Sequence, residues 1–82
     1  MTKVRFRKFR DTKQIIAIFP EYDYPKWVNK KGDCMSYMHN GQHGECTYDY
    51  LLHITDTTNI DEYFDLLGEL KSIGYNDLFI IP

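Results

Sequence analysis

Apolar positions along the chain change period near its middle, and each period predicts an element. Val4 and Phe6 alternate with Arg5 and Arg7, the two-residue period of a strand with one apolar and one basic face. The alternation slips at Lys8-Phe9, so a strand over Val4 to Arg10 is predicted to bulge or end there. After the polar link Asp11-Thr12-Lys13, Gln14 to Phe19 is β-branched and apolar on both faces. That predicts a central strand, stopped by Pro20 and paired with the first in a hairpin. Met35 to His39 and Cys46 to Ile54 read as two further strands. In the second, Tyr48, Tyr50, Leu52 and Ile54 alternate with Thr47, Asp49, Leu51 and His53; a short helix over 47–53 is the competing reading. Asn40-Gly41 suits a type I′ turn, whose two central residues need positive φ, and that turn sets His39 against Gln42 and Met38 against His43.

From Ile60 the period is helical. Ile60, Tyr63, Phe64, Leu67 and Leu70 form an apolar stripe. Asn59 with Glu62 three residues on is a capping-box pattern, and Gly74 supplies the C-terminal stop. Asn76-Asp77 turns the chain into a last strand, Leu78 to Ile81. Residues 20–33 form a loop with two prolines, a glycine and three large aromatics, Tyr22, Tyr24 and Trp27; loops of this length in small domains often carry function. The predicted fold is α+β: a two-layer single domain over residues 1–82, with an antiparallel-rich β-sheet of about four to five strands and one helix in the C-terminal half, in the order β-β-(β-β)-α-β. The sheet face bearing Arg5 and Arg7 is expected to be open.

Composition narrows the class. Of 82 residues, 43% are hydrophobic and 16% aromatic, enough to pack one modest core and too apolar for a disordered chain. No apolar run approaches the roughly 18 residues of a membrane-spanning helix. The basic opening MTKVRFRKFR is followed by an apolar run, Ile15 to Phe19, too short for a signal peptide, so a cytoplasmic protein is expected. The two cysteines, Cys34 and Cys46, permit one disulfide, but in that compartment reduced thiols are the expectation. Net charge is −2 and unevenly spread. Residues 1–31 hold nine basic residues against three acidic, +6, and residues 32–82 hold one against nine, −8.

Most of the chain's reactive side chains fall in one stretch, CMSYMHNGQHGEC, from Cys34 to Cys46. Cys34, His39, His43 and Cys46 are of the types that bind zinc tetrahedrally, but their gaps of five, four and three match no finger or ribbon, and the Asn40-Gly41 turn sends the two histidines to opposite faces. A cysteine–histidine catalytic pair lacks a third group to orient its base, so no enzyme and no cofactor are predicted. The same turn can instead be a recognition loop, with His39, Gln42, His43 and Glu45 as directional contacts and Gly41 and Gly44 allowing close backbone approach. The alternative for those glycines is turn geometry alone.

Two charged surfaces suggest partners. Arg5 and Arg7, with Tyr22, Tyr24 and Trp27 nearby, could contact phosphates and stack bases of single-stranded nucleic acid. The overall pI of about 5.8 and the lack of an RNP-type signature weigh against this. On the helix, Asp61, Asp65 and Glu69 recur every four residues. Such like-charge spacing costs a few tenths of a kcal/mol per pair, and Gly68 within the helix costs about 1 kcal/mol more. An acidic surface meeting a basic partner protein explains features that isolated helix stability would not select.

The run Ser36-Tyr37-Met38-His39-x-Gly41-Gln42-His43-Gly44, with Glu62-Tyr63, the Leu67 to Tyr75 ending, the opening Val4 to Phe9 and the Ile16 to Pro20 strand, resembles a family of small bacterial and phage proteins of mobile elements with an SYxHxGQHG core. The resemblance covers nearly the whole chain. It implies a compact cytoplasmic domain, carries no catalytic residue across, and is consistent with a small non-enzymatic binding module that acts on a host protein, for instance as an inhibitor of a defence system. A single-stranded nucleic-acid binder and a zinc-stabilised domain are the alternatives, and the chain is expected to be a monomer or homodimer.

Overall fold

The first strand organises the chain. A computed structural model describes residues 2–20, 33–38 and 43–81, with backbone alone at 33, 43, 45 and 46. β1 (Thr2–Phe9) pairs antiparallel with β2 (Ile15–Phe19), Phe6 opposite Ala17. Phe9 N–H donates to the Gln14 carbonyl and Lys13 N–H to the Phe9 carbonyl, both at 2.9 Å, and Lys13 closes the hairpin at φ 64°, a left-handed position. β3 (Asp33–Tyr37) lies beyond β2, and β4 (His43–Thr47) beyond β3. On its other edge β1 receives two short strands end to end. β5 (Thr55–Thr57) pairs antiparallel with Arg7 to Phe9, and β6 (Leu78–Ile80) pairs parallel with Thr2 to Val4. The β-sheet is antiparallel apart from β6, and the α+β class expected from the sequence is the class found.

Alternation along β1 and β2 sorts side chains to two faces. Val4, Phe6, Ala17, Phe19 and Tyr37 meet Leu66, Leu67 and Leu70 of α2 (Ile60–Ser72) in the larger core cluster. Phe6 stacks on Tyr63 (centroids 4.3 Å apart, 6° between planes) and Phe19 on Tyr75 (5.2 Å, 17°). Ile16, Ile18 and Cys34 face the other way and pack on Leu51 of α1 (Tyr48–Ile54). Burial of Ile16 through Phe19 on both faces is what the unbroken apolar run of β2 predicts.

Three expectations change. The stretch Cys46 to Ile54 is not one strand: β4 ends at Thr47 and the helix begins at Tyr48, close to the competing helical reading. Tyr48, Leu51, Leu52 and Ile54 are its covered positions and buried Thr55 follows, so a helical period at i, i+3, i+4 and i+7 was present beneath the alternation. This second helix covers part of the face that carries Arg5 and Arg7, which was expected to be open. Third, the β3–β4 register differs by one residue. Tyr37, not Met38, stands opposite His43, and five residues separate the pair. A one-residue slip exchanges the faces of every residue on a strand. The observed register keeps Tyr37 wholly buried beneath α2, and it sets Cys34 directly across from Cys46. Residues 21–32 of the expected 20–33 loop and the expected Asn40-Gly41 turn lie outside the described residues, and Asp33 already belongs to β3.

Candidate interaction surface

α2 is a locally specified helix. The Asn59 side chain accepts the Glu62 N–H at 3.1 Å, the cap predicted from sequence. At the other end Gly74 N–H donates to the Lys71 carbonyl and Tyr75 N–H to the Leu70 carbonyl, with Gly74 at φ 119°. That is a Schellman ending, and Tyr75, just past it, stacks on Phe19 of β2.

The helix binds the sheet by a narrower stripe than the sequence suggests. Tyr63, Leu66, Leu67 and Leu70 face inward, whereas Ile60 and Phe64, read from sequence as core, are 55% and 63% exposed. At about 100° per residue, Phe64 and Gly68 fall well round from the buried centre, beside Asp61 and Asp65. The carboxylates divide accordingly. Glu62 pairs with Lys8 of β1 and accepts from Thr58, and Glu69 accepts the hydroxyl of buried Tyr37 on β3. Those two anchor the helix across the sheet. Asp61 and Asp65 are exposed on the outer side. The hydrogen bond from Lys8, and then the one from Thr58, hold the Glu62 pKa below its ordinary value despite some opposing desolvation.

Gly68 is also exposed, and a Cβ placed on it meets nothing within 4 Å. No packing in the described structure requires a glycine there. The result is a strip of Ile60, Phe64 and a bare backbone at Gly68, flanked by Asp61 and Asp65. The carboxylate spacing and the glycine were legible in the sequence. The exposure of Ile60 and Phe64 was not, because the apolar stripe has a second, equally periodic interpretation one position round the helix.

The other sequence candidates are distributed as follows. His39, Gln42, Tyr22, Tyr24 and Trp27 lie outside the described residues. On β4, His43 is registered opposite Tyr37, Glu45 opposite Met35 and Cys46 opposite Cys34. Cys34 is buried in the α1-side cluster. Gly44 sits in extended β4 opposite Ser36, whose Oγ donates to its carbonyl at 3.1 Å; it is a strand residue, and an added Cβ would make only ordinary contact there. Among the described residues no group of three or more His, Cys, Asp or Glu side chains gathers in metal-binding geometry.

Arg7 has a structural task. Its Nε donates to Thr55 Oγ1 at 2.9 Å, and its Nη2 to the carbonyls of Leu52 (3.0 Å) and Thr55 (2.7 Å). It thereby caps the C-terminus of α1, where a cation is favoured. Burial, and next the neighbouring Arg5, lower its pKa from the ordinary arginine value, while Asp56 opposes them.

Comparison with known protein families, curated proteins and solved structures finds no match to this chain. No helix of the described residues is long and apolar enough to cross a membrane.

Proposed function

We propose that the protein is a small binding module that docks a partner protein on the outer face of α2. The observation that carries this reading is Phe64, 63% exposed beside Ile60 and the bare backbone at Gly68, with Asp61 and Asp65 alongside. A solvent-facing helix gains nothing from an exposed phenylalanine, a mid-helix glycine and two unneutralised carboxylates together. A partner's apolar knob can rest on Phe64 and Gly68, and its lysines or arginines can reach Asp61 and Asp65. The occupant is therefore a protein surface with an apolar centre and a basic rim. A second copy of this face would bring like charges together. The resemblance to mobile-element proteins supports a host protein as that partner, with inhibition as the mode of action.

The test is capture from host lysate by the immobilised protein, followed by measured affinity for each protein captured. Truncating an anchor aromatic removes about 2 kcal/mol or more of binding, which is roughly thirtyfold. Phe64→Ser should weaken binding by that factor, and Asp61→Lys with Asp65→Lys should weaken it and reverse its salt dependence. Affinities indifferent to both variants would reject this face.

A further inference from the structure

A cavity of about 120 Å³ opens where β5 and β6 abut along β1. The β5 ladder covers Arg7 to Phe9 and the β6 ladder covers Thr2 to Val4, so Arg5 and Phe6 have neither strand alongside them on that edge. Arg5, Arg7, Thr57, Thr58 and Asn59 line the polar part of the gap. Phe6, Tyr63 and the isoleucines at 60, 80 and 81 make up the rest.

Two guanidiniums two residues apart on one strand face repel each other, and only one of them has a structural reason to be there. Arg7 caps α1. The Arg5 Nε is buried with no hydrogen-bond partner, and its cross-strand neighbour is Ile18. The nearby carboxylates are already engaged: Glu62 with Lys8, and Asp56 with Arg10 at 2.8 Å. An unpaired buried donor is costly; the Arg5 Nε is closed to solvent and finds no acceptor among the described residues, so an anion in the gap reaches it through a turn of the Arg5 side chain and supplies the acceptor it lacks. Asn59 uses its Oδ1 on the Glu62 N–H, which leaves its amide NH₂ to donate, and the Thr57 hydroxyl adds another donor. The space is ample for a four-oxygen anion, since one water needs only about 10–15 Å³. Two fixed positive charges match a dianion better than a single carboxylate, and guanidinium forks suit phosphate oxygens.

We propose that this cavity binds a phosphate-type dianion, free or as the terminal group of a small phosphorylated molecule. The cavity shares Ile60 with the docking face of α2, but Arg5 and Thr57 lie off that face and Phe64, Asp61 and Asp65 lie off the cavity, so the two can fail independently.

The experiment is a titration with inorganic phosphate at constant ionic strength, read by ¹⁵N NMR on the amides of 57–60 and on the Arg5 side-chain Nε–H. Saturable shifts confined to this region are expected. Arg5→Gln, which leaves the α1 cap intact, should weaken phosphate at least tenfold, and Arg5→Lys should weaken it less. If Arg5→Gln does not fold, Thr57→Val, on the exposed rim, should weaken it at least threefold. Glycerol phosphate binding as tightly as phosphate, or tighter, would identify a small phosphomonoester as the ligand; weaker binding would identify the free ion; both support the site. No saturation, an equal response to acetate, an unchanged titration in Arg5→Gln, or a response to an oligonucleotide without one to phosphate would overturn it.

Discussion

The two helices are held by opposite means. α2 has thirteen residues and carries its own start and stop, Asn59 at one end and Gly74 at the other. α1 has seven, and its N-cap residue Thr47 makes no side-chain capping bond. Its C-cap residue Thr55 donates its Oγ1–H to the Leu51 carbonyl, and the next carbonyl is secured from elsewhere, by Arg7, 45 residues before Leu52 in sequence. An isolated helix of seven residues is not stable in water. α1 therefore exists because β1 is already in place beside it. α2 is specified by its own sequence and then docked.

This comparison can be broken at its strongest point first. Arg7→Ala removes three hydrogen bonds from a charged donor to the end of α1, and a loss of about 2–3 kcal/mol is expected. Hydrogen exchange should show protection falling in 51–55 well before 63–70. Equal loss in both helices would mean that α1 is not separately held. Substitutions at the ends of α2 should act the other way round. Gly74→Ala forces a side chain into the left-handed region and should cost about 1–2 kcal/mol. Asn59→Ala should cost about 1 kcal/mol. In urea both should lower the protection of α2 without opening α1 first.

Gly68→Ala sharpens the same contrast with function. It should raise stability by about 1 kcal/mol, seen as a higher urea midpoint, yet weaken the partner that rests on Phe64. A variant gaining both stability and affinity would show that the glycine serves neither.

Acid gives the smallest effect. Glu62, lowered chiefly by its hydrogen bond from Lys8, steadies α2; Asp56, lowered chiefly by Arg10, steadies the strand after α1. Both folded pKa values lie below the ordinary 4.5 and 3.8. Their stabilisation is thus complete above those values and fades as pH falls through the lower folded ones. Both pairs are solvent-exposed, so added salt should blunt the effect. Lys8→Met should flatten the acid limb for α2 alone, and Arg10→Gln for the β5 side alone.

The contrast also explains what could be read from the sequence. Signals that act within a few residues were legible: the β1–β2 alternation, the apolar run of β2, the Asn59 cap, the Gly74 stop and the carboxylate spacing of α2. α1 was read first as a strand because its alternation of Tyr48, Tyr50, Leu52 and Ile54 is real, and one of the groups that hold the helix, Arg7, acts through tertiary contact. The β3–β4 register sets Tyr37 opposite His43 and Tyr37 is wholly buried, a burial decided by contact with α2, far away in sequence. Arg5 and Arg7 look alike in the sequence. Only the position of α1 separates a capping arginine from one facing a cavity.

The parallel pairing of β1 with β6 has a kinetic consequence. Thr2 is registered with Leu78, so this ladder closes a loop of almost the whole described chain. Loop-closure entropy and high contact order make such pairings late and slow. The β1–β2 hairpin can form early, but until β6 arrives the backbone of Thr2 to Val4 is an open edge. An unfinished molecule can satisfy that edge with a strand from a neighbour. Refolding yield should therefore fall with protein concentration, and the last three-residue strand decides whether each molecule finishes alone.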